Sequence, residues 1–315
     1  MAECDYVCTL EDKYIKKAKD ELNEIPSDRL SAVKALREWV NEQKHLTFNT
    51  DTLNLIRILR HSKFSQAKAR ETIENVAKFI SKSRTYFSNL DAEDDKCQSM
   101  LRRGQLMLLP GYDDDGRKVM LYKLNMIPFD EYKRDYKFSV MVKVMNTVFI
   151  SLMDDEMFQV NGVVMFFDMT GVTLKMISTF NDPESIKYHK DSQNAQVGRL
   201  KGFHYYNIGG LFEAMFSMYK PFMKQKHKER LRVHETLESI YRYIPKRMLP
   251  NEYLPDDYDG PRAGSLVEIG AQTADAILKK REKILDFTDP KHISYDESKK
   301  PSAEPLQHFR KLNID

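Results

Sequence analysis

The sequence predicts an α/β domain preceded by a small helical bundle and followed by a C-terminal helix. Three observations predict it. The first 90 residues carry apolar side chains at helical spacing, with Leu30, Val33, Leu36 and Val40 as one stripe and Ala69, Ile73, Val76 and Ile80 as another. From residue 160 onward, short apolar runs alternate with helical patterns, as in strands joined through helices. One of those runs, Val163 to Phe167, is apolar throughout, which suits a strand covered on both faces.

Each element follows from local signals. Ser27 and Asp28 are placed to cap the first helix, which carries Trp39 beside its stripe. Thr50 or Asp51 caps a second helix running to Arg60, and a third spans Ser65 to Tyr86. The acidic stretch DAEDDKCQ (91–98) reads as a solvated connection. Two short β runs, Gly104 to Leu109 and Lys118 to Leu124, are joined by the hairpin turn GYDDDGRK. Its Asp113-Asp114-Asp115-Gly116 cluster invites a calcium reading, yet the twelfth position of such a loop needs Glu and here is Leu124. A polar turn is what Asp and Gly favour. Residues 132–158 read as one long amphipathic helix, and 160–171 as a buried strand closed by Asp168 and Gly171. A helix from Leu174 to Lys190, a strand from Arg199 to Tyr206, a helix from Leu211 to Phe216 and a basic helix from Lys220 to Val233 follow. Tyr241 to Tyr253 is an interrupted helix-and-turn segment. Beyond Gly260 come one amphipathic helix, Val267 to Ile284, and a polar, Pro-broken tail that reads as loosely ordered. The chain divides into a helical module (1–90), a central α/β domain (91–260) and a C-terminal helix with its tail (261–315).

Composition removes several function classes. With 50 Lys and Arg against 47 Asp and Glu, the net charge of +3 argues against a nucleic-acid binder, whose domain is normally strongly basic. Cys4, Cys8 and Cys97 show neither a disulfide framework nor zinc-ligand spacing, which points to a reducing cytosol. The N-terminus has no apolar signal core, and no run approaches the ~18 apolar residues of a membrane span. The expectation is a soluble, cytoplasmic protein whose membrane contact is peripheral. Its 17 Phe, 16 Tyr and 16 Met supply the adaptable apolar side chains that irregular cores and lipid pockets both use.

Catalytic motifs are missing. Neither a nucleophile elbow, a phosphate loop, a dinucleotide fingerprint nor a zinc-protease helix occurs, and the eight His residues show no metal-ligand spacing. His204 reads as a hydrogen-bonded core histidine, and Asp168 as a carboxylate bonding loop amides. No catalytic residue, metal or cofactor is expected.

The cations are more informative. Arg199 and Lys201 lie two apart on a strand and so share a face. Lys226 and Arg230, four apart on the expected basic helix, are neighbours, with Lys220, Lys224 and Lys228 forming a second row. Several Lys and Arg donors suit phosphate oxygens, and a phosphoinositide headgroup fits better than nucleic acid. Phe212 and Phe216 share a helix face after Gly209-Gly210, widened by Met215, Met218 and Tyr219. Periodicity alone favours permanent packing of that helix over a movable lid.

At these residues the chain resembles the CRAL-TRIO lipid-binding family, and within it the α-tocopherol transfer and retinaldehyde-binding branch. The resemblance covers residues 30–260. It rests on LIRILRHSKFSQAKA (55–69), GVVMFFDMTG (162–171), RLKGFHYYN (199–207), FSMYKPFMKQKHKER (216–230) and IPKRMLPNEY (244–253), in that order. It implies an N-terminal three-helix bundle, then an α/β domain whose sheet floors a hydrophobic cavity closed by a helical gate. It implies no enzyme activity, but shielding and transfer of a small lipophilic ligand such as a tocopherol, retinoid, carotenoid or related terpenoid. The alternative is a phospholipid or phosphatidylinositol exchange protein of the same fold. Carried over by position, the phosphoinositide contacts are Arg60, Arg199, Lys201, Lys226 and Arg230. The gate is Phe212 and Phe216, and the pocket Val142, Met145, Phe149, Val163, Phe167 and Phe203. Two departures, Gly209 where the family has Pro and Leu254-Pro255 where it has Gly-Gly, bear on the gate's stiffness and a C-terminal turn. Ligand choice falls to polar groups such as Tyr122, Asn146, Ser151, Thr173 and Tyr205.

Overall fold

A computed structural model of the chain describes residues 6–178, 183–223 and 225–300. Helix α1 (Asp12–Leu22), which no apolar stripe announced, ends where Asn23 turns left-handed at φ 58° and returns its N–H to the carbonyls of Ala18 and Lys19. The expected three-helix module follows as α2 (Arg29–Glu42), α3 (Thr52–His61) and α4 (Gln66–Lys82), with the short strand β1 (Leu46–Phe48) between the first two. Leu36, Leu55, Ile58, Leu59 and Ile73 are fully buried among these helices. Leu30 leaves the expected stripe, being 50 % exposed, and Arg29 turns inward instead. The third helix is also shorter than expected. Ser83 interrupts it, and α5 (Arg84–Phe87) continues separately.

The acidic stretch at 91–98 is corrected from a connection to a helix start. Asp94 caps α6 (Asp95–Arg102) by accepting the N–H groups of Lys96 and Cys97, each at 3.0 Å, which buries Ala92 and Cys97. Strands β2 (Leu106–Leu108) and β3 (Lys118–Lys123) pair antiparallel. In the turn between them Asp113 accepts the N–H of Asp115 at 3.0 Å and of Arg117 at 2.8 Å, as a polar turn requires. The single long helix expected over 132–158 is three: α7 (Phe129–Asp135), α8 (Phe138–Ser151) and α9 (Glu156–Asn161). Tyr136 leaves helical angles, and Asp155 starts α9 afresh by capping Phe158 N–H at 3.0 Å.

Strand β4 (Val163–Asp168) is the centre of the sheet. The expected helix at 174–190 becomes α10 (Leu174–Ser178) and α11 (Pro183–Ser192), with 179–182 outside the described residues. Next come β5 (Leu200–Tyr206) and α12 (Leu211–Tyr219). The expected basic helix is largely replaced. Only α13 (Gln225–Lys228) is α-helical there, Lys224 lies outside the described residues, and β6 (Leu231–His234) pairs parallel with β5. Sheet order is β2-β3-β4-β5-β6, parallel except at the β2 edge. The last part holds α14 (Leu237–Ile240), 3-10 turns to Tyr253, α15 (Leu266–Leu278), α16 (Arg281–Thr288) and β7 (Ile293–Tyr295). A capping box of Ser265 and Glu268 starts α15, and Lys279–Lys280 divide what was expected as one helix.

The sheet separates two cores. Val164 and Phe166 of β4 point with Val119 and Leu121 towards Ile240, Ile244, Leu249 and Ile269. Val163, Met165 and Phe167 face the opposite way, into the large core shared with α8 and the N-terminal module. Alternation along a strand enforces this division. The tail is corrected as well. Ile293 to Tyr295 pairs antiparallel with Phe48 to Leu46, and Ser81 Oγ accepts Tyr295 N–H at 2.9 Å.

Candidate functional site

The apolar floor is built by register. Because β4 and β5 run parallel, Met165 lies beside Phe203 and Phe167 beside Tyr205, all on one face. The Phe167 and Tyr205 rings stack at 4.8 Å with an 11° interplanar angle, and Tyr122 of β3 meets Phe167 edge-on at 6.2 Å. Of the predicted pocket residues, Val142 and Val163 are buried in the core on this face of the sheet, and Phe149, Phe167 and Phe203 pack against it. Met145 shares the α8 face of Val142 and is half-buried.

Helix α12 stands beside this core. Phe212 packs against it, and its ring stacks on Phe216 at 5.1 Å with a 12° interplanar angle. Phe216 is half-buried, with the Lys220 ammonium 5.7 Å from its ring centre. The side chains of Met215, Met218 and Tyr219 lie outside the described residues. Ahead of the helix, Asn207 and Gly209 both take positive φ, 54° and 50°. No atom lies within 4 Å of where a Cβ would sit on Gly209 or Gly210. The helix thus hangs from a sharp turn with free space around its glycines.

The cations gather at the start of β5. Gly162, at φ 85°, lets β4 begin against it, since a Cβ there would lie 2.0 Å from the Arg199 carbonyl. Arg199 Nη2 and Lys201 Nζ lie 3.1 and 3.6 Å from the same Glu21 oxygen. Arg230, in the turn before β6 rather than on a helix, donates to the Leu200 carbonyl. Burial pulls the Lys201 ammonium below the usual lysine range, and neighbouring Arg199, Lys17 and Arg230 add to this while Glu21 opposes it. Arg199 is lowered chiefly by burial. Lys226 is exposed on α13, a helix that contacts β5. Sequence reasoning missed the contribution of α1. Lys17 and Glu21 share one of its faces at i, i+4 spacing, a legible signal once that helix is recognised.

Arg60 stands apart from this group. It is fully buried, with Nε 2.8 Å from Glu24 and Nη1 2.7 Å from both Gln159 Oε1 and Glu156 Oε2. Burial lowers its pKa, but Glu24, Tyr6 and Glu156 outweigh that and hold it charged. The N-terminal segment closes over the group: Tyr6 donates to Glu156, and Thr9 N–H and Oγ1 each reach Glu156 Oε1 at 2.8 Å. In this conformation Arg60 braces helices rather than facing a surface.

Asp168, at the end of β4, accepts from Thr170 N–H at 2.9 Å and from Lys123 and Tyr253, a loop-holding role. His204 is buried as expected, and its partner is His234, Nδ1 to Nε2 at 2.9 Å, with His234 Nδ1 against Ser239 Oγ. Asn146 donates to the Tyr86 carbonyl and Ser151 to the Val148 carbonyl. Thr173 accepts from Met176 N–H. Among the polar candidates, Tyr205 and Tyr122 therefore stand on the floor itself. Among the described residues no group of three or more potential metal ligands converges, and no helix is long and apolar enough to cross a membrane.

The profile of the CRAL/TRIO domain matches residues 102–253, and that of a Pinta-like UBA domain matches 25–97. The chain is 29 % identical over 287 residues to an α-tocopherol transfer protein-like protein of Mus musculus, covering 90 % of this chain and 80 % of that one. It is 26 % identical over 245 residues to clavesin-1 of Xenopus laevis, covering 76 % and 71 %. Clavesin-2 of Rattus norvegicus matches at 24 %, covering 93 % and 95 %. The crystal structure of Sfh5 aligns with a TM-score of 0.49 at 11 % identity over 88 % of this chain and 99 % of that one, too loosely to carry an argument. From the ordered motifs, the mixed sheet with its helical module, and the domain profile and sequence relatives together, the chain belongs to the CRAL-TRIO family of lipid-binding and lipid-transfer proteins.

Proposed function

We propose that this protein is a non-enzymatic cytoplasmic carrier of a small hydrophobic ligand of the tocopherol, retinoid or carotenoid kind, released at phosphoinositide-containing membranes. One observation carries the reading. Strand β5 follows directly on Arg199 and bears Lys201 at its start and the floor residues Phe203 and Tyr205 along its length. The α-tocopherol transfer protein-like relatives, which align over 90 % of the chain, favour a tocopherol-like molecule. The ligand lies over Phe167, Phe203 and Tyr205, with Phe212 and Phe216 as the gate.

Burying such a ligand removes several hundred Å² of apolar surface, on the order of 10 kcal/mol gross, so release needs an outside push. Glu21 is the place where it acts. An anionic headgroup arriving at Arg199 and Lys201, with Lys226 and Arg230 beside them, competes with Glu21 for the same donors and loosens α1. Only a headgroup that binds the open state better than the closed one shifts the gate.

The test is mass spectrometry of organic extracts from protein purified out of native tissue, paired with liposome transfer by the Lys201→Ala/Lys226→Ala variant. A stoichiometric isoprenoid with transfer at least tenfold slower in the variant is expected. Phospholipid in the extract would instead assign exchange activity, and transfer unaffected by the variant would remove the headgroup from the mechanism.

A further inference from the structure

A second site lies away from the floor and the β5 cations, and none of its lining residues belongs to either. A cavity of about 190 Å³ opens where α3, α8 and α16 meet, with Asn49, Asn54, Arg57, Asp154, Lys280 and Lys283 among its walls. It is smaller than the roughly 300–1,000 Å³ of ordinary ligand pockets, so it suits a small group rather than a lipid tail.

Arg57 makes the cavity unusual. Only 3 % of it is exposed, yet its Nε and Nη2 share one neutral acceptor, Asn54 Oδ1, at 3.2 and 2.6 Å. Its Nη1 is buried with no hydrogen-bond partner. The guanidinium lies 5.5 Å from the Phe287 ring centre, which fixes its plane without neutralising it. Asp154 acts on it electrostatically but is itself held by Lys283 at 2.7 Å. Lys280 likewise finds a neutral partner, the Ser151 carbonyl. Buried Arg57 and half-buried Lys280 thus meet in one cavity with uncharged acceptors as their hydrogen-bond partners, an arrangement that a buried charge such as Arg57 normally avoids. Burial accordingly pulls Arg57 down to about 10, with Asp154 opposing.

We propose that this cavity is an oxyanion site taking a single phosphate group, as free phosphate or as a phosphate monoester, between Arg57 Nη1 and Lys280. An arginine fork with a free N–H matches phosphate oxygens, and a lysine supplies the second charge. The carboxylates settle the stoichiometry. Asp51, Asp154 and Asp286 also line the cavity, so a multiply phosphorylated headgroup is repelled where one phosphate is not. Asp154 and Asp286 have their own partners, Lys283 and His292.

The experiment uses the full chain. Inorganic phosphate is titrated against chloride at matched ionic strength by calorimetry, with Arg57→Gln, Lys280→Gln and the Arg199→Ala/Lys201→Ala control. Flotation with phosphatidylcholine vesicles, with and without phosphatidic acid, runs beside it. Saturable phosphate binding, weakened about tenfold by Lys280→Gln and kept by the control, is the expected result for a free phosphate. Flotation that requires both phosphatidic acid and Lys280, without measurable binding of inorganic phosphate, assigns the lipid monoester. Absence of both signals overturns the proposal, as does binding that Lys280→Gln leaves unchanged. Because Lys280 is only half-buried, that variant keeps the test decisive even if Arg57→Gln does not fold. The control variant separates failure here from failure of the β5 headgroup site.

Discussion

At the scale of single residues, burial decides what each titratable group does. His204 is held down to about 3, first by burial and then by the neighbouring His234. The unfolded chain takes up a proton near pH 6.5 while the folded His204 refuses it until far lower. Stability present above pH 6.5 is therefore lost as the pH falls towards 3. Between pH 7 and 5 the melting temperature should drop by about 3 °C, from about 2 kcal/mol at this chain length, and His204→Gln should flatten that profile. Thermal melts across pH check it; an equally steep slope in the variant would refute the assignment. Arg60→Ala should cost about 3–5 kcal/mol in urea unfolding, because it leaves buried Glu156 without its cation and Glu24 with Arg29 alone. The roles of His204 and Asp168 were legible from their places on apolar strands. The His234 partnership was not, since its strand was hidden inside an apparent basic helix.

At the scale of elements, the helices with an apolar stripe were legible, α1 and α6 were not, and helix length was not. Ser83, Asp155 and the pair Lys279–Lys280 each split a periodic run that reads as one helix. Caps decide such breaks locally, and an apolar stripe continues through them. The four residues of β6 are too short for period-two alternation to show beside so many lysines; pairing with β5 overrode the local helical pattern. The cations survived this correction because Arg230 reaches β5 from the turn. On α12 the stacking is worth about 0.5–1.5 kcal/mol beyond the area the half-buried rings cover, so Phe212→Ala/Phe216→Ala should lower the melting temperature by only a few degrees. Loss of a fluorescent hydrophobic ligand to acceptor vesicles should nevertheless speed up at least several-fold. Unchanged loss would make α12 a fixed wall. Gly209→Ala, strained only by its positive φ, should cost about 1 kcal/mol by chemical denaturation.

At the scale of the whole molecule, the order of modules was legible, because long motifs carry it, whereas the joins between modules were not. Nothing local announces that Tyr295 pairs with Leu46, or that Tyr6 and Thr9 fasten onto Glu156. Such contacts depend on distant partners that one-dimensional patterning does not see. Ile293 is 2 % exposed at the join of β7 with β1, and Ile293→Ala should cost about 2–4 kcal/mol by urea unfolding. A cost below about 0.5 kcal/mol would mean the strand is an ornament. The same join sets a timetable for synthesis. At about 5–20 residues per second, β1 leaves the ribosome some 10–50 s before β7 exists to cover it. For that interval the nascent chain presents an unpaired edge strand, the window in which chaperones or wrong partners compete for it.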